Sequence, residues 1–395
     1  MSALLFSGIL FILLSRAVAY NIIREYAGST FFDRWDFYGG LDNLTLGKSL
    51  VSGHLVPYTH TVAKGNATWV SKSEAMNQSL AYVNSEGHVI IKVDNTTNVP
   101  SGQNRNSVRI TTQDVYDLGS LWIIDLNHIP FGCSVWPAFW SYGPNWPQDG
   151  EIDIIEAINM MTNNQMAIHT TPGCTHTGNV DQLGVTGSTT DCSLAPGCVI
   201  SETSPNSYSS SFSEAGGGVW ATQFDSSGIF IWFWSRPDVP PSISQANSTS
   251  SMDISQWGTP HASYFSATCN ISQFFTPQNL VLDITLCGDW AGVPSIYQST
   301  CANAGPTGLC YNDSVVGPGS PGFDDAYFDI SYIRTYTSAS VVPSTTPTST
   351  SLSTSTLSPS KAQLSGSIRS KNDFTIALLA MLAAGSVVLL THGLY

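Results

Sequence analysis

Basic residues are scarce in this chain. It has 14 Lys and Arg against 28 Asp and Glu, a net charge of −14 at neutral pH, and no Lys or Arg between Arg109 and Arg236. Binding to nucleic acid needs clustered cations that neutralise phosphates, so the composition excludes that class of partner. Other polyanions meet the same repulsion, whereas a neutral polymer does not.

Amphipathic helical patterns of useful length and internal repeats at solenoid spacing are also missing before residue 337. Short apolar runs, such as 228–234 and 279–286, alternate instead with clusters of Gly, Ser, Thr and Asn. Runs of this length that are rich in β-branched and aromatic residues predict strands. The sequence therefore predicts an all-β fold, arranged as one large sandwich or two smaller domains.

The sequence has no CxxC pair, which argues against a zinc site. Its eight cysteines lie between residues 133 and 310. Residues 1–19 contain the apolar run Leu4–Leu14 and then Ala17-Val18-Ala19, and this pattern predicts a signal peptide cleaved after Ala19. In an oxidising compartment the cysteines are expected to form disulfides. Cys192–Cys198 and Cys301–Cys310 are plausible short loops, but the spacing leaves the connectivity open.

Asn-x-Ser/Thr sequons follow the signal peptide, and they predict that at least some asparagines carry a glycan. The seven sequons are at Asn43, Asn66, Asn77, Asn95, Asn247, Asn270 and Asn312.

The composition changes sharply after Tyr336. Residues 337–372 are dense in Ser, Thr and Pro and cannot bury enough apolar area to fold, which predicts an O-glycosylated stalk. Residues 373–395 are strongly apolar, and the small residues Ser365-Gly366-Ser367 precede them. A small site, a spacer and a terminal hydrophobic tail predict a glycosylphosphatidylinositol anchor signal. A transmembrane helix at the end of the chain is the alternative.

The most informative segment is 150–157, Gly-Glu-Ile-Asp-Ile-Ile-Glu-Ala, because it places three carboxylates in an isoleucine-rich run. The run predicts a buried strand, and buried acids cost several kcal/mol unless something compensates them. Alternation puts Glu151 and Asp153 on one face and Glu156 on the other. A β-bulge at Ile154-Ile155 would return Glu156 to the side of Asp153. In a helix, by contrast, Glu151 and Asp153 would diverge.

Carboxylates gathered along one strand are typical of glycosidic bond cleavage. A retaining glycosidase uses an ionised carboxylate as nucleophile and a protonated carboxyl as acid, about 5–5.5 Å apart, and a third acid between them can tune their protonation. A calcium loop through Asp149, Glu151 and Asp153 is one alternative, but the required Gly and final Glu are not at the sixth and twelfth positions. Structural acids in ion pairs are the other, and no cation is close in sequence.

A tryptophan-rich segment, 131–147, precedes the acids. Flat aromatic rings suit the C–H faces of pyranose sugars, and an indole NH can bond a hydroxyl. Trp146 is therefore expected in a sugar-binding cleft. Trp136 and Trp140 fit either the core or the cleft, since tryptophan is often mostly buried.

These segments resemble glycoside hydrolase family 16, in particular its branch of secreted endo-1,3(4)-β-glucanases, or laminarinases. The resemblance is carried by residues 131–176, which include the bulged acid motif, and by 106–110, 257–260 and 282–290. It implies a two-sheet jelly-roll sandwich of the concanavalin type over 20–336, with a concave substrate cleft and a retaining mechanism. It implies neither a cofactor nor a catalytic metal.

The resemblance also implies the roles of the site residues. Glu151 is expected to be the nucleophile, Glu156 the acid/base and Asp153 their tuner. The residues expected to contact or border the substrate are Arg109, Trp136, Trp140, Trp146, His169, Trp257 and Trp290.

The sequence thus predicts a monomeric retaining endo-β-glucanase that hydrolyses β-1,3 and mixed β-1,3/1,4 glucan. It is expected at the outer cell surface or in the cell wall, with the membrane contacted only through a lipid anchor. A cell-wall transglycosylase of the same fold is one alternative. A non-catalytic β-glucan-binding protein is another, although such a protein does not need all three acids.

Overall fold

The computed structural model describes residues 19–42, 65–178 and 180–338. The expected signal peptide, apart from Ala19, lies outside the described residues. So do the expected stalk, apart from residues 337 and 338, the anchor signal and the sequon at Asn43. No helix in the described ranges has the length and apolar character needed to cross a membrane.

Strands make up most of the described secondary structure. In chain order they are β1 (Ala19–Ala27), β2 (Trp35–Phe37), β3 (Gly40–Leu41), β4 (Ala67–Trp69), β5 (Ala81–Val83), β6 (Val89–Lys92), β7 (Arg105–Ser107), β8 (Arg109–Thr112), β9 (Ser120–His128), β10 (Val135–Tyr142), β11 (Glu151–Glu156), β12 (Gln165–His169), β13 (Val185–Thr186), β14 (Ile200–Ser201), β15 (Gly218–Asp225), β16 (Gly228–Ser235), β17 (Met252–Asp253), β18 (Ala262–Phe265), β19 (Asn279–Leu286) and β20 (Tyr327–Thr337). The predicted strands at 228–234 and 279–286 are confirmed as β16 and β19.

The helices are short. They are α1 (Lys72–Asn77), α2 (Ser209–Glu214), α3 (Pro241–Ser244), α4 (Ile271–Phe274) and α5 (Pro294–Cys301), with 3₁₀ turns at Gly28–Arg34 and Arg236–Asp238 and a π turn at Tyr311–Val315.

Two large antiparallel sheets form the sandwich. The nine-stranded sheet has the order β17-β1-β20-β9-β15-β16-β18, with β6 paired to β20 and to β5. The eight-stranded sheet has the order β13-β14-β12-β11-β10-β19-β8-β2. A small third sheet, β3-β4-β7, contains the parallel pair β4 and β7. The predicted all-β jelly-roll sandwich is therefore confirmed.

The main core lies between the two large sheets and follows from strand alternation. On β10, Val135 and Phe139 point into this core, and on β9, Trp122 and Ile124 do the same. Each fully buried side chain of this kind contributes about 1.5–3 kcal/mol. The intervening residues of β10 are left on the outer face of the eight-stranded sheet, where the site is built.

Four disulfides cross-link the sandwich: Cys133–Cys301, Cys174–Cys269, Cys192–Cys198 and Cys287–Cys310. The expected use of cysteine and the Cys192–Cys198 loop are confirmed, but the Cys301–Cys310 loop is wrong. The physical reason is that Val135 pairs with Leu286 at the same end of β10 and β19. Cys133 and Cys287 therefore lie beside each other, and each bonds one cysteine of the 294–310 segment.

Candidate active site

A β-bulge in β11 places three acids on one face. Phe139 pairs with Ile155 and Trp140 pairs with Asp153, which leaves Ile154 as the extra residue. The pairing of β11 with β12 shifts at the same place. The predicted bulge is thus confirmed.

The bulge separates apolar from acidic side chains along β11. Its isoleucines point into the main core, whereas Glu151, Asp153 and Glu156 lie on the opposite face and are fully buried there. We call this outer face of the eight-stranded sheet the cleft face. Like charges packed this closely need donors or cations around them.

The register of five strands, β8, β19, β10, β11 and β12, arranges the cleft face in rows. One row contains Asn279, Tyr142, Glu151 and His169; the next contains Val281, Trp140, Asp153 and Ala167; the third contains Arg109, Asp283, Ala138, Glu156 and Gln165. Neighbouring strands are about 4.8 Å apart, so each acid of β11 faces the side chains of its own row.

Ring NH groups contact the acids. The Trp146 Nε1 donates to Glu151 Oε2, and the Trp136 Nε1 donates to Glu156 Oε1 over 2.9 Å. The His169 Nε2 lies 3.3 Å from Asp153 Oδ2. Each acid therefore has its own polar neighbour, and the two glutamates are bound by different indoles.

Asn164, a buried residue just before β12, holds the bulge in place. Its Nδ2 donates to the Ile154 carbonyl and its Oδ1 accepts from the Glu156 backbone NH, both over 2.9 Å. These are the backbone groups that the bulge removes from the regular ladder, and buried backbone groups are nearly always paired. The sequence predicted no role for Asn164, which lies within the 131–176 segment. The available signal was an amide directly before the apolar run 165–169, which follows the acids.

The sequence left open whether Trp136 and Trp140 of β10 belong to the core or to the cleft. Trp136 and Trp140 are on the cleft face and are nevertheless buried, within a cluster that includes Ile158 and Ala291. Trp290 packs edge-on against Trp136 with ring centroids 5.4 Å apart. Trp136 and Trp140 thus form part of the cleft floor, while Trp146 and Trp290 are only half-buried.

Trp257 is not part of this site. It packs against Trp232 and Trp234, with ring centroids 5.3 and 5.1 Å away, in a cluster on the outer face of the nine-stranded sheet. Its Nε1 donates to Ser242 Oγ over 3.0 Å. The expectation that Trp257 binds substrate is therefore wrong, because the loop that carries it covers the sheet opposite the acids.

Arg109 and Asp283 form an ion pair on the cleft face. Arg109 Nε lies 3.9 Å from Asp283 Oδ2, and the guanidinium carbon is 5.2 Å from the ring centroids of both Tyr38 and Trp140. The sequence predicted Arg109 but missed Asp283. The available signal was a lone acid in the outward positions of an alternating strand, 279–286.

The electrostatics of Asp283 are unusual. Burial raises the pKa of Asp283 to about 7; Arg109 and the Trp140 indole lower it, while Asp42 and Glu156 raise it. Burial also raises the pKa of Asp42, against the hydrogen bond that its Oδ2 accepts from the Thr285 hydroxyl. At acidic pH, part of the acidic cleft face is therefore neutral.

The calcium loop considered as an alternative has Asp149 as its first acid. Asp149, which that loop requires, accepts two hydrogen bonds from Asn145 instead, over 2.8 and 2.9 Å. Among the described residues, Glu151, Asp153 and His169 form a group compact enough for a metal ion, with ligand atoms within 4.8 Å of one another. A recess of about 30 Å³ between Trp146, His169 and the 192–195 segment has room for water.

Fold and site together define the class of this protein. A jelly-roll sandwich whose cleft face gathers three buried carboxyls on a bulged strand has the arrangement of a glycoside hydrolase. The XgeA-like, catalytic GH16 domain matches residues 58–336. The chain belongs to glycoside hydrolase family 16.

Its curated relatives include two fungal proteins. The chain is 35% identical, over 326 residues, to a probable endo-1,3(4)-beta-glucanase of Aspergillus fumigatus, covering 80% of this chain and 45% of the relative. It is 34% identical to a probable glycosidase of Schizosaccharomyces pombe, covering 81% of this chain and 70% of the relative. The chain thus spans about half the length of the Aspergillus protein.

Solved structures are similar over nearly their whole length. Laminarinase 16A of Phanerochaete chrysosporium, bound to beta-glucans in both donor and acceptor sites, has a TM-score of 0.68 at 29% identity and covers 80% of this chain and 99% of that one. An elongating GH family 16 beta-1,3-glucosyltransferase has a TM-score of 0.69 at 36% identity, with coverages of 80% and 100%. The chain is therefore similar both to a hydrolase and to a transferase.

Proposed function

We propose that this chain is a retaining endo-β-glucanase that hydrolyses β-1,3 and mixed β-1,3/1,4 glucan. The observation that carries the proposal is the bulge, which gathers Glu151, Asp153 and Glu156 on the cleft face. Two carboxyls with different neighbours are what double displacement needs, because one must act ionised and the other protonated. The assignment of roles to the two glutamates follows the family pattern.

In the first step, a Glu151 oxygen attacks C1 of the sugar. The Glu156 carboxyl gives its proton to the glycosidic oxygen as the C1–O bond breaks, and the shortened glucan leaves. The bond electrons pass to that oxygen, and a glycosyl ester forms on Glu151. The Trp146 indole NH on Glu151 orients the attacking carboxylate, since a bound NH fixes the direction of the free lone pairs.

In the second step, Glu156 acts as the base. It takes a proton from water while the water oxygen attacks C1 and the ester bond to Glu151 breaks. Two inversions give net retention of configuration. Asp153 lies between the two glutamates on β11, and its contact with His169 holds it in the middle of the site.

The cleft favours a neutral β-glucan. Its face already carries Arg109 as a cation against the acids of β11 and Asp283, so an acidic polymer would be repelled. Half-buried Trp146 and Trp290 and the exposed Tyr38 ring supply flat surfaces for pyranose C–H faces.

Glu151→Gln tests the proposal. We expect hydrolysis of laminarin to fall by at least about a thousandfold, because an amide cannot form the glycosyl ester, while the thermal midpoint stays close to that of the parent. Glu202→Gln is the matched control, since Glu202 is also a buried glutamate but its side chain bonds His261. Near-parental turnover by Glu151→Gln, or an early product of inverted configuration, would reject the mechanism.

Transglycosylation is a second candidate function, favoured by the similarity to the elongating glucosyltransferase. It uses the same glycosyl ester and replaces water by a sugar hydroxyl. Reduced laminarin incubated with a labelled acceptor oligosaccharide separates the two functions. Lengthened, labelled chains as the main product would favour transfer, and new reducing ends would favour hydrolysis. Binding to glucan with neither product would revive the non-catalytic alternative.

The proposed location is the outer cell surface or the cell wall, with the chain held there by a lipid anchor. It is supported by the four disulfides, which are typical of oxidising compartments, and by exposed sequon asparagines such as Asn77, Asn247 and Asn270. Release of activity from intact cells by a phosphatidylinositol-specific phospholipase C tests the anchor. Retention after this treatment would contradict it.

A further inference from the structure

A disulfide closes residues 192–198 into a short loop beside the histidine of the cleft face. We call this segment the cysteine loop. At one end of the loop the Cys192 carbonyl accepts from the Thr170 backbone NH over 3.1 Å, and at the other end the Cys198 NH donates to the Ile168 carbonyl over 3.0 Å. The two cysteines of one bridge are thus bonded to the residues on either side of His169.

Gly197 is the residue of the cysteine loop that approaches the His169 ring. It is buried and its φ is +70°, a conformation that glycine adopts without strain. A Cβ at this position would lie 2.6 Å from Cε1 and 2.8 Å from Nε2 of His169, closer than Cβ atoms in proteins approach other atoms. The same Nε2 lies 3.3 Å from Asp153 Oδ2. The glycine therefore backs the edge of the ring that contacts the middle acid.

The His169 ring is enclosed on its other sides as well. It is only 5% exposed, and on β12 it stands opposite Glu151 of β11. Trp146 and residues 192–195 line the recess of about 30 Å³ in front of it, which has room for water but not for a second position of the ring. The cysteine loop leads into β14, which pairs with β12 on the side away from β11. The loop and the acid strand therefore hold the ring between them.

We infer that Gly197 is a positioning residue of the reaction: it lets the cysteine loop approach closely enough to hold the His169 imidazole against Asp153. The inference rests on the proposed function, in which Asp153 lies between the two reacting glutamates. Gly197 does not touch the reacting atoms, because the His169 ring stands between the loop and the acids. Its effect passes through the ring, and the disulfide restricts the positions that the loop can take.

Gly197→Ala tests the inference by placing a methyl group against the ring edge. We expect kcat on laminarin to fall by at least about tenfold, since a displacement of about 1 Å within a site can cost a hundredfold. The thermal midpoint should fall by about 2 to 8 °C, because alanine is strained at positive φ and the new Cβ also meets the Ile168 carbonyl at 2.7 Å. A folded Gly197→Ala protein with the kcat of the parent would overturn the inference.

Gly258→Ala is the matched control for backbone strain. Gly258 has a φ of +74°, and a Cβ there would meet no atom within 4 Å among the described residues beyond its own chain neighbours. It follows Trp257, which packs on the outer face of the nine-stranded sheet. We expect its thermal midpoint to fall and its kcat to stay close to that of the parent. An equal loss of kcat in the two glycine variants would show that strain alone lowers activity and would contradict the inference.

A double-mutant cycle with His169→Ala provides a second readout. Without the imidazole, the methyl group of Gly197→Ala has no ring to displace, so we expect it to cause no further loss of kcat in this background. Its effect on the thermal midpoint should remain, because the strain and the contact with the Ile168 carbonyl remain. A loss of kcat that is equal with and without the ring would indicate a purely structural role for Gly197 and would contradict the inference.

Should Gly197→Ala fail to fold, the double variant Cys192→Ala/Cys198→Ala releases the loop without adding an atom beside the ring. We expect its kcat to fall when His169 is present and to show no further loss in the His169→Ala background. Loss of hydrolysis in Glu151→Gln together with a parental kcat in the Gly197 or double-cysteine variant would reject this inference and leave the proposed function standing. Hydrolysis that survives Glu151→Gln would instead reject the proposed function and, with it, the inference.

Discussion

A single buried acid on the cleft face makes the stability of the protein depend on pH. The pKa of Asp283 is raised by burial to about 7, above the value of about 3.9 in an unfolded chain. Between these two values the folded state binds more protons than the unfolded state, so stability falls as the pH rises.

Asp283→Asn should remove this dependence. We expect the stability of the variant, relative to the parent, to increase by about 2 to 4 kcal/mol between pH 4 and pH 8. Urea unfolding of both proteins across this range measures the difference. A constant difference at all pH values would show that Asp283 ionises normally in the folded state.

At the level of residues, the sequence predicted site residues that are clustered along the chain and missed those that stand alone. Glu151, Asp153 and Glu156 were found because three acids within six positions of an apolar run have few structural uses. Asp283 and Asn164 were missed because a lone polar residue in or beside a strand is common. Only the strand register, which brings Asp283 and Glu156 into one row, distinguishes Asp283 from an ordinary structural acid.

The bulged strand is the element on which the site depends. Parity alone predicted the bulge, since an odd spacing between Asp153 and Glu156 must be corrected if both acids share a face. Parity does not say what holds the bulge. Asn164 holds it, because its side-chain amide hydrogen-bonds the two backbone groups that have no partner in the regular strand ladder.

Asn164→Ala should loosen this element. We expect stability to fall by about 2 to 3 kcal/mol, because a buried NH and a buried carbonyl lose their partner, and kcat to fall by at least about tenfold as Glu156 loses its fixed position. Urea unfolding and laminarin kinetics measure the two effects.

Asn127→Ala is the control for loss of an amide network, because the half-buried Asn127 side chain bonds Asp329 and Ser331 on the other sheet. Its kcat should stay close to that of the parent. An Asn164→Ala protein that loses stability but keeps its kcat would show that the bulge holds without the clamp.

Errors at the level of elements came from long-range placement. The Cys301–Cys310 loop looked plausible because the two residues are close in sequence, yet each bonds a strand end of the eight-stranded sheet. Trp257 matched a family segment, but its loop packs on the nine-stranded sheet. A segment is assigned to one of two similar sheets by contacts with residues far away in sequence. The local sequence pattern carries no information about those contacts.

For the whole molecule, carboxyls with lowered pKa values and a carboxyl with a raised pKa have opposite effects on how stability changes with pH. Together they predict a stability maximum in mildly acidic solution. Hydrogen bonds from the Arg34 guanidinium hold the pKa of Asp114 below its usual value. Burial alone would raise the pKa of Glu202, but the bond from His261 brings it below normal. Carboxyls of this kind stabilise the fold above about pH 4, and their contribution is lost as the pH falls further.

The raised pKa of Asp283 acts in the opposite direction between about pH 4 and pH 7. The thermal midpoint should therefore be highest between about pH 4 and pH 6 and decline on both sides. Calorimetry across this range checks the expectation. A midpoint that climbs steadily to pH 8 would contradict it.

The pairing of β20 has a mechanical consequence. This strand ends at Thr337 and is bonded along its length to β6 and β1 on one side and to β9 on the other. A force applied to the chain beyond Ser338 therefore acts along a strand that is hydrogen-bonded on both sides. When force acts along such a strand, its hydrogen bonds share the load and must break together. The eight-stranded sheet with the cleft face, which packs behind it, is therefore protected from that force.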